Sequence, residues 1–333
     1  MKRRRSQTPE IEEVARLAER LAVLMSAGVS PVSAWDYLLP PAADDHPGPT
    51  RRRIAQSADP GNEAILLAAS RAAHAGERVA DAIAAEAAHL PAQLGEAWRA
   101  LAAAWDVATQ SGAPLAAALR EQAAAFRELG QLHRDLGVAL TGPRATARMV
   151  LVLPLVALLF GTVLGFDTVH TLFWTGPGLT CLLAGSLLLL AAAGWNRRLV
   201  RAASAQHAAP GLELDLTAIG MAGGGSLDRA RATARTSAQR FGLRPADGSR
   251  TADDTTIDRV LELSARAGVP AGELLRSEAD QARRDARSAG RQRAEKLAVA
   301  LMVPLGVCVL PAFMLVGVAP LLLSVLSSTL TSF

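Results

Sequence analysis

From Ile11 the chain reads IEEVARLAERLAVLMSAG, and its apolar positions Val14, Leu17, Leu21, Leu24 and Met25 return every three or four residues. That period places them on one face of a helix, which Gly28 ends. A second helix passes through Trp35 and Leu38 and stops at Pro40 and Pro41, where PPAADDHPGPTRRR reads as a turn-rich loop. Helices resume from about Glu63, with breaks near Gly76 and Pro91. After Gly112 comes a long amphipathic run in which Leu115, Leu119, Ala123, Phe126, Leu129, Leu132, Leu136 and Leu140 step by threes and fours. Neither this stretch nor residues 196–296 shows the period-two alternation of a strand, so both are expected to be helical.

Three blocks break the amphipathic pattern because they are apolar all round. The first, 149–166, has eighteen residues without a charge. At about 1.5 Å per residue it just covers a hydrocarbon core. The second, 172–195, carries Trp174 and Trp195 near its ends, where amphipathic rings settle at a membrane interface. Its Gly176, Pro177 and Gly178 predict a regular helix starting only near Leu179. The third, 297–326, is thirty residues long, too long for one upright span and too short for two. One helix tilted or kinked at Pro304 and Pro311 fits best, with a break near Gly317 and Pro320 and a re-entrant hairpin as the alternative.

The chain also repeats itself. Residues 108–122 read ATQSGAPLAAALREQ, and 264–278, 156 positions later, read SARAGVPAGELLRSE. Gly112 and Gly268 close one helix in each copy, and Pro114 and Pro270 open the next, since glycine tolerates a left-handed cap and proline lacks only an N–H that the first turn leaves idle. LELDLTAIGMAGGGSLDRARATA likewise echoes AERLAVLMSAGVSPVSAWDYL, and FGLRPADGSRTADD takes the place of the long loop. Taken locally, each repeat says helix, turn, helix, as in ordinary antiparallel packing. The full order, hairpins, then a charged helix, then an apolar block, occurs twice.

Charge sets an orientation. Arg144 and Arg148 precede the first block, Arg197, Arg198 and Arg201 follow the second, and Arg291, Arg293 and Lys296 precede the third. The loop 167–171 and the tail 327–333 carry no Lys or Arg. The positive-inside rule then predicts a multi-pass protein of the cytoplasmic membrane, with 1–148 and 196–296 as cytoplasmic helical-hairpin domains and the C-terminus outside. The start MKRRRSQTPE has no apolar run and does not read as a signal peptide. Half of the 333 residues are hydrophobic and 20% are charged, which suits a membrane protein with large polar parts. Aromatics at 4% and a net charge of +4 argue against nucleic-acid binding.

In this order and in its motifs the chain resembles the F family of type II secretion and type IV pilus systems, the inner-membrane platform proteins of the GspF and PilC kind. SGAPLAAALREQ with ATARMVLVLPLVALLFGTVLGFD resembles the TadB-type platform protein of tight-adherence (Flp pilus) systems. AGVPAGELLRSEADQARRDARSAGRQRAEKLAVALMVPLGVCVLPAFMLVGVAPLLLSVL resembles the TadC type. The likeness covers roughly residues 10–38, 95–200 and 210–326, and departs in the loop 39–61 and in a second cytoplasmic part shorter than the first. It implies an all-α membrane protein with two cytoplasmic helical-hairpin domains and three transmembrane helices. It further implies a non-catalytic platform that couples a hexameric secretion ATPase to extraction of pilin-like subunits, as an oligomer and beside a second platform protein.

Candidate chemistry changes this picture little. No G-x-x-x-x-G-K-[ST] is present, and MAGGGSLDRA lacks both the lysine and a preceding strand. The six histidines are scattered, and Cys181 and Cys308 lie in apolar blocks, so neither a metal site, a cofactor nor a catalytic centre is expected. Asp44, Asp45, Asp253 and Asp254 read as helix caps or solvated turns. The apolar blocks contain no Asp, Glu, Lys, Arg or His, against an ion-coupled carrier. A transporter subunit serving a separate ATPase is the alternative. What remains is surface: Arg276, Arg283, Arg284, Arg287 and Arg291 on one charged helix, either a solvated face beside anionic lipid or a docking face for a soluble partner.

Overall fold

The computed structural model describes residues 10–39, 60–139, seven residues between 149 and 163, 172–204, 210–245, 247, 249–320 and 322. The described residues are helical and include no strand. The chain divides into two compact units, one made of 1–133 with 207–288 and one of 134–206 with 289–333.

In the first unit, α1 (Glu10–Ser26) and α2 (Pro31–Asp36) form the opening hairpin. Gly28 turns the chain at φ 88°, and Ser30 caps α2 by accepting from the Ser33 N–H. Then follow α3 (Pro60–Ala75), α4 (Val79–Ala87) and α5 (Ala92–Ser111). Helix α5 is the centre of the core. Leu94, Trp98, Leu101 and Trp105 are buried along it, and alanines 97, 100, 102, 103, 104 and 108 fill its other sides. Small residues all round let neighbouring helices approach on every face. Gly95 marks one close approach, since a Cβ there would stand 2.5 Å from the Ala87 carbonyl oxygen. Three polar contacts tie this core together: Trp98 Nε1 donates to Asn62 Oδ1 at 2.8 Å, and Ser237 and Gln110 both donate to Asp106, at 2.5 and 2.7 Å.

The chain returns to this unit as α8 (Leu212–Ala222), α9 (Leu227–Arg240) and α10 (Ala252–Ala267). Two helical-hairpin domains were expected for 1–148 and 196–296, but the described parts of both stretches that precede the apolar blocks share one core. Leu212, Leu216 and Ile219 of α8, and Ala234, Ala238 and Phe241 around α9, join the cluster built on α5. The other side of α8 presents Leu214 and Ala218 to a smaller cluster with Ile257, Val260, Leu275 and Ala279. A helix apolar on both sides needs two partners, and α8 binds both copies of the repeat. The hairpin turns meet as well: a Cβ on Gly223 would lie 2.0 Å from the Ser111 carbonyl oxygen, so only glycine fits there.

One long helix completes each copy, α6 (Leu115–Ala139) in the first and α11 (Ala271–Ala300) in the second. Both follow the predicted turn. Gly112 at φ 72° and Gly268 at φ 68° cap α5 and α10, their N–H groups reaching the carbonyls of Ala108 and Ser264.

The second unit holds α7 (Gly176–Ser204) and the apolar continuation of α11, helical from Met302 to Val318. Helix α7 begins at Gly176, three residues before the expected Leu179. Thr175 Oγ1 accepts from the Gly178 N–H at 3.2 Å, and Pro177 in the first turn has no N–H to waste. Gly185 sits against Val316, and Ala192 clusters with Cys308 and Val309, so α7 and the continuation run antiparallel. Small residues at the seam allow the close packing common between membrane helices.

The continuation contains two π-helical turns, Leu305–Val309 and Met314–Val318. Each is centred four residues before a proline, Val307 before Pro311 and Val316 before Pro320. Those two carbonyls have no i+4 donor, because proline carries no N–H, and the wider turn offers them the next N–H along. The chain stays helical through Pro304 and Pro311, and no hairpin turn interrupts 302–320. The first apolar block, 149–166, lies mostly outside the described residues. The seven described there are helical and exposed.

A candidate interaction site on the two repeat helices

Two prolines and two glycines start α6 and α11 at equivalent points of the repeat, and the structure sets these helices side by side. In the first unit Arg276 Nε stands 2.8 Å from Glu121 Oε1, and Arg283 Nε stands 3.5 Å from Glu128 Oε2. In the second unit Arg291 bonds Asp135 Oδ2 at 2.8 Å. The numbers rise together on both helices, so the pair is parallel. The separations of 155 (276 − 121), 155 (283 − 128) and 156 (291 − 135) match the 156-residue repeat read from the sequence. The acids recur every seven residues, which is one stripe of a helix. Leu119, Ala123, Phe126, Leu129 and Leu132 of α6 lie buried beside that stripe.

The middle rung is the buried one. The Arg283 side chain is 10% exposed and also bonds Asp215 Oδ2 on α8 at 2.6 Å and Asp280 on its own helix. Burial pushes the Asp215 carboxyl up to about 7, against the pull of Arg283. Burial draws Arg283 the other way, but Asp215 and Asp280 more than offset it and hold the guanidinium charged. Beside them a cleft of about 50 Å³ is lined by Glu128, Leu129, Leu132, Pro210 and Arg287. That volume holds water and is too small for an organic substrate.

A second charged knot closes the loop between α9 and α10. Arg244 is fully buried and donates to Glu213, to Asp254 Oδ2 at 2.6 Å and to the Ser249 carbonyl at 2.8 Å. Asp254 is also the third residue of a capping box with Thr251 at the start of α10. Burial would raise the Asp254 carboxyl, but Arg244 and the Thr251 N–H hold it well below the usual carboxylate range. Glu213 and Asp253 are raised by burial. The cap reading of Asp254 is therefore right but incomplete, since the residue also anchors a buried arginine. Asp44 and Asp45 lie outside the described residues.

The five candidate arginines do not form one outward face. Arg276, Arg283 and Arg291 turn toward α6 and its acids. Arg284 is exposed, and its guanidinium donates to Gln281 Oε1 at 2.8 and 3.1 Å within α11. Arg287 is half-buried at the cleft. Helical geometry explains the split: 276, 283 and 291 fall on one stripe, while 284 lies a further 100° round the helix. Asp215, Glu213 and Arg244 were missed in sequence. A signal existed for the first two, since a short helix reading LELDLTAIG buries nearly all of itself and must bury its acids too. Arg244 gave no such signal within a polar loop.

Among the described residues two helices are long and apolar enough to cross a membrane, Gly176–Leu199 and the apolar end of the helix that runs Ala271–Val318. In their most apolar windows 17% and 29% of residues are buried inside the protein, so neither is a core helix. Leu179, Leu183, Leu187 and Leu190 of α7 form an exposed row, as do Val303, Val307, Leu310 and Met314 of the continuation. The described residues thus make an all-helical protein without strands, with two candidate membrane helices among them. No protein-family model, no curated protein and no solved structure matches it.

Proposed function

We propose that the chain is the inner-membrane platform of a type II secretion or tight-adherence pilus machine. In this role it crosses the cytoplasmic membrane three times, with 1–148 and 196–296 in the cytoplasm. Its helical unit engages a secretion ATPase, and its membrane helices guide pilin-like subunits out of the bilayer. The observation that supports this best is the pairing of α6 and α11 in the register of the repeat, because each of these helices precedes an apolar block. Two equivalent levers on one shared core suit a part that passes displacement from a soluble motor to a membrane subunit. The exposed apolar rows of α7 and of the continuation supply surface for lipid, for a second copy or for the extracted subunit.

The test is a mild-detergent pull-down of the tagged full chain from its own cells. A Walker-motif secretion ATPase and a small pilin-like protein should co-purify, and both should be lost when charge reversals at Arg284 and Arg287 disturb the α11 surface. Recovery of a transporter-type ATPase or a sensor kinase in their place contradicts the platform role.

A further inference from the structure

Within the second unit the cations are not treated alike. Arg291 has Asp135 at 2.8 Å, whereas Arg197, Arg198, Arg293 and Lys296 are exposed and have no acidic partner among the described residues. All four stand at the same end of the helix pair. Gly185 meets Val316, and Ala192 meets Cys308 and Val309. Following the antiparallel register a few residues further brings Arg197 and Arg198 beside Met302–Pro304, where the two elements are still in contact. Lys296 and Arg293 lie one to three turns farther along, so the belt of charge is roughly 15 Å deep.

The neighbours of this belt identify its solvent. Interleaved with these cations, Val299, Met302 and Val303 are 50–66% exposed, and on α7 Leu190 and Trp195 are 71% and 43% exposed. Water does not tolerate such a row of bare aliphatic side chains, and hydrocarbon does. A cation one turn from that boundary reaches the headgroup layer through its own apolar stem. Glu295 is the one exposed acid among them, leaving the belt strongly positive.

We propose that Arg197, Arg198, Arg293 and Lys296 form a binding belt for the phosphodiester of anionic phospholipids, fixing the depth and register of the helix pair in the bilayer. The inference rests on the chain crossing a membrane and is independent of its part in secretion. Each cation near an anionic surface contributes about a five-fold preference, so four of them should enrich anionic lipid at least tenfold even after mutual screening.

The full chain is exchanged from mixed micelles of phosphatidylglycerol and phosphatidylcholine, and the retained lipid is counted by mass spectrometry. Wild type should retain phosphatidylglycerol about tenfold above its share in the micelle. The variant R197Q/R198Q/R293Q/K296Q should fall to the micelle ratio, while R197K/R198K/R293K and the control R266Q on α10 keep the enrichment. Equal enrichment in wild type and the glutamine variant, or none in wild type, overturns the proposal. A carbonate wash separates the two levels: both proteins should stay with the membrane, and release of wild type would remove the membrane crossing itself.

Discussion

Asp215 is the residue whose surroundings differ most from what its place in the sequence suggests. It lies buried on α8 between an arginine on α11 and the acids of α6, and burial pushes it from an ordinary 3.8 up to about 7. A carboxyl raised in the folded state favours its protonated form there. Its contribution to stability is therefore complete below about 4 and is lost as pH rises through about 7. Asp254 works in the opposite sense, because Arg244 holds it low, so its share is present above the usual carboxylate range and disappears in acid. The Asp215 effect is isolated by comparing wild type with Asp215→Asn in thermal unfolding across pH. The excess stability of wild type over the variant should shrink by about 1–4 kcal/mol between pH 4 and pH 7. A difference that stays flat or grows would show that the carboxyl is ionised throughout that range.

Helix boundaries were largely legible, because each is written in local chemistry. Gly28, Gly76, Gly112 and Gly268 all take positive φ where the periodicity stopped, and Pro31 and Pro60 open helices. The start of α7 was not, because Thr175 caps it just ahead of the Gly-Pro-Gly that was expected to delay it. The π-turns were half legible: the prolines were expected to kink the helix, while the widened turns before them depend on carbonyls whose lost donors no hydropathy pattern reveals. Which helix meets which face was beyond the pattern altogether. Periodicity gave α6 an apolar stripe and α11 a charged face, yet only the 156-residue offset hinted that these two would pair. Their direction can be checked with a short bismaleimide in a chain whose native Cys181 and Cys308 are replaced. Cysteine pairs at 121/276 and 128/283 should cross-link efficiently. The crossed pairs 121/283 and 128/276, displaced by about 10 Å along the axis, should not. Preference for the crossed pairs would mean that the helices run antiparallel.

At the scale of the molecule, the described hairpins of the two copies within the first unit share a core because α8 is apolar on both sides and each side needs a partner. Sequence order could divide the chain into cytoplasmic and membrane parts, but a shared core depends on contacts between residues more than a hundred positions apart, such as Ser237 with Asp106. The candidate site was legible only in outline. A run of arginines on α11 read as either a solvated face or a docking face, and the structure assigns three of those five to the pairing of the repeat helices and leaves Arg284 exposed. The proposed platform role draws on this helical unit and on apolar helices whose surfaces stay largely uncovered. The most direct measurement is the amount of pilin-like or secreted protein outside the cell after the gene for this chain is deleted and then restored. A platform predicts that export stops, with the subunit accumulating in the membrane, and that the wild-type chain restores it. Export that continues unchanged without the chain would contradict the platform role and leave a membrane anchor or a transporter subunit in its place.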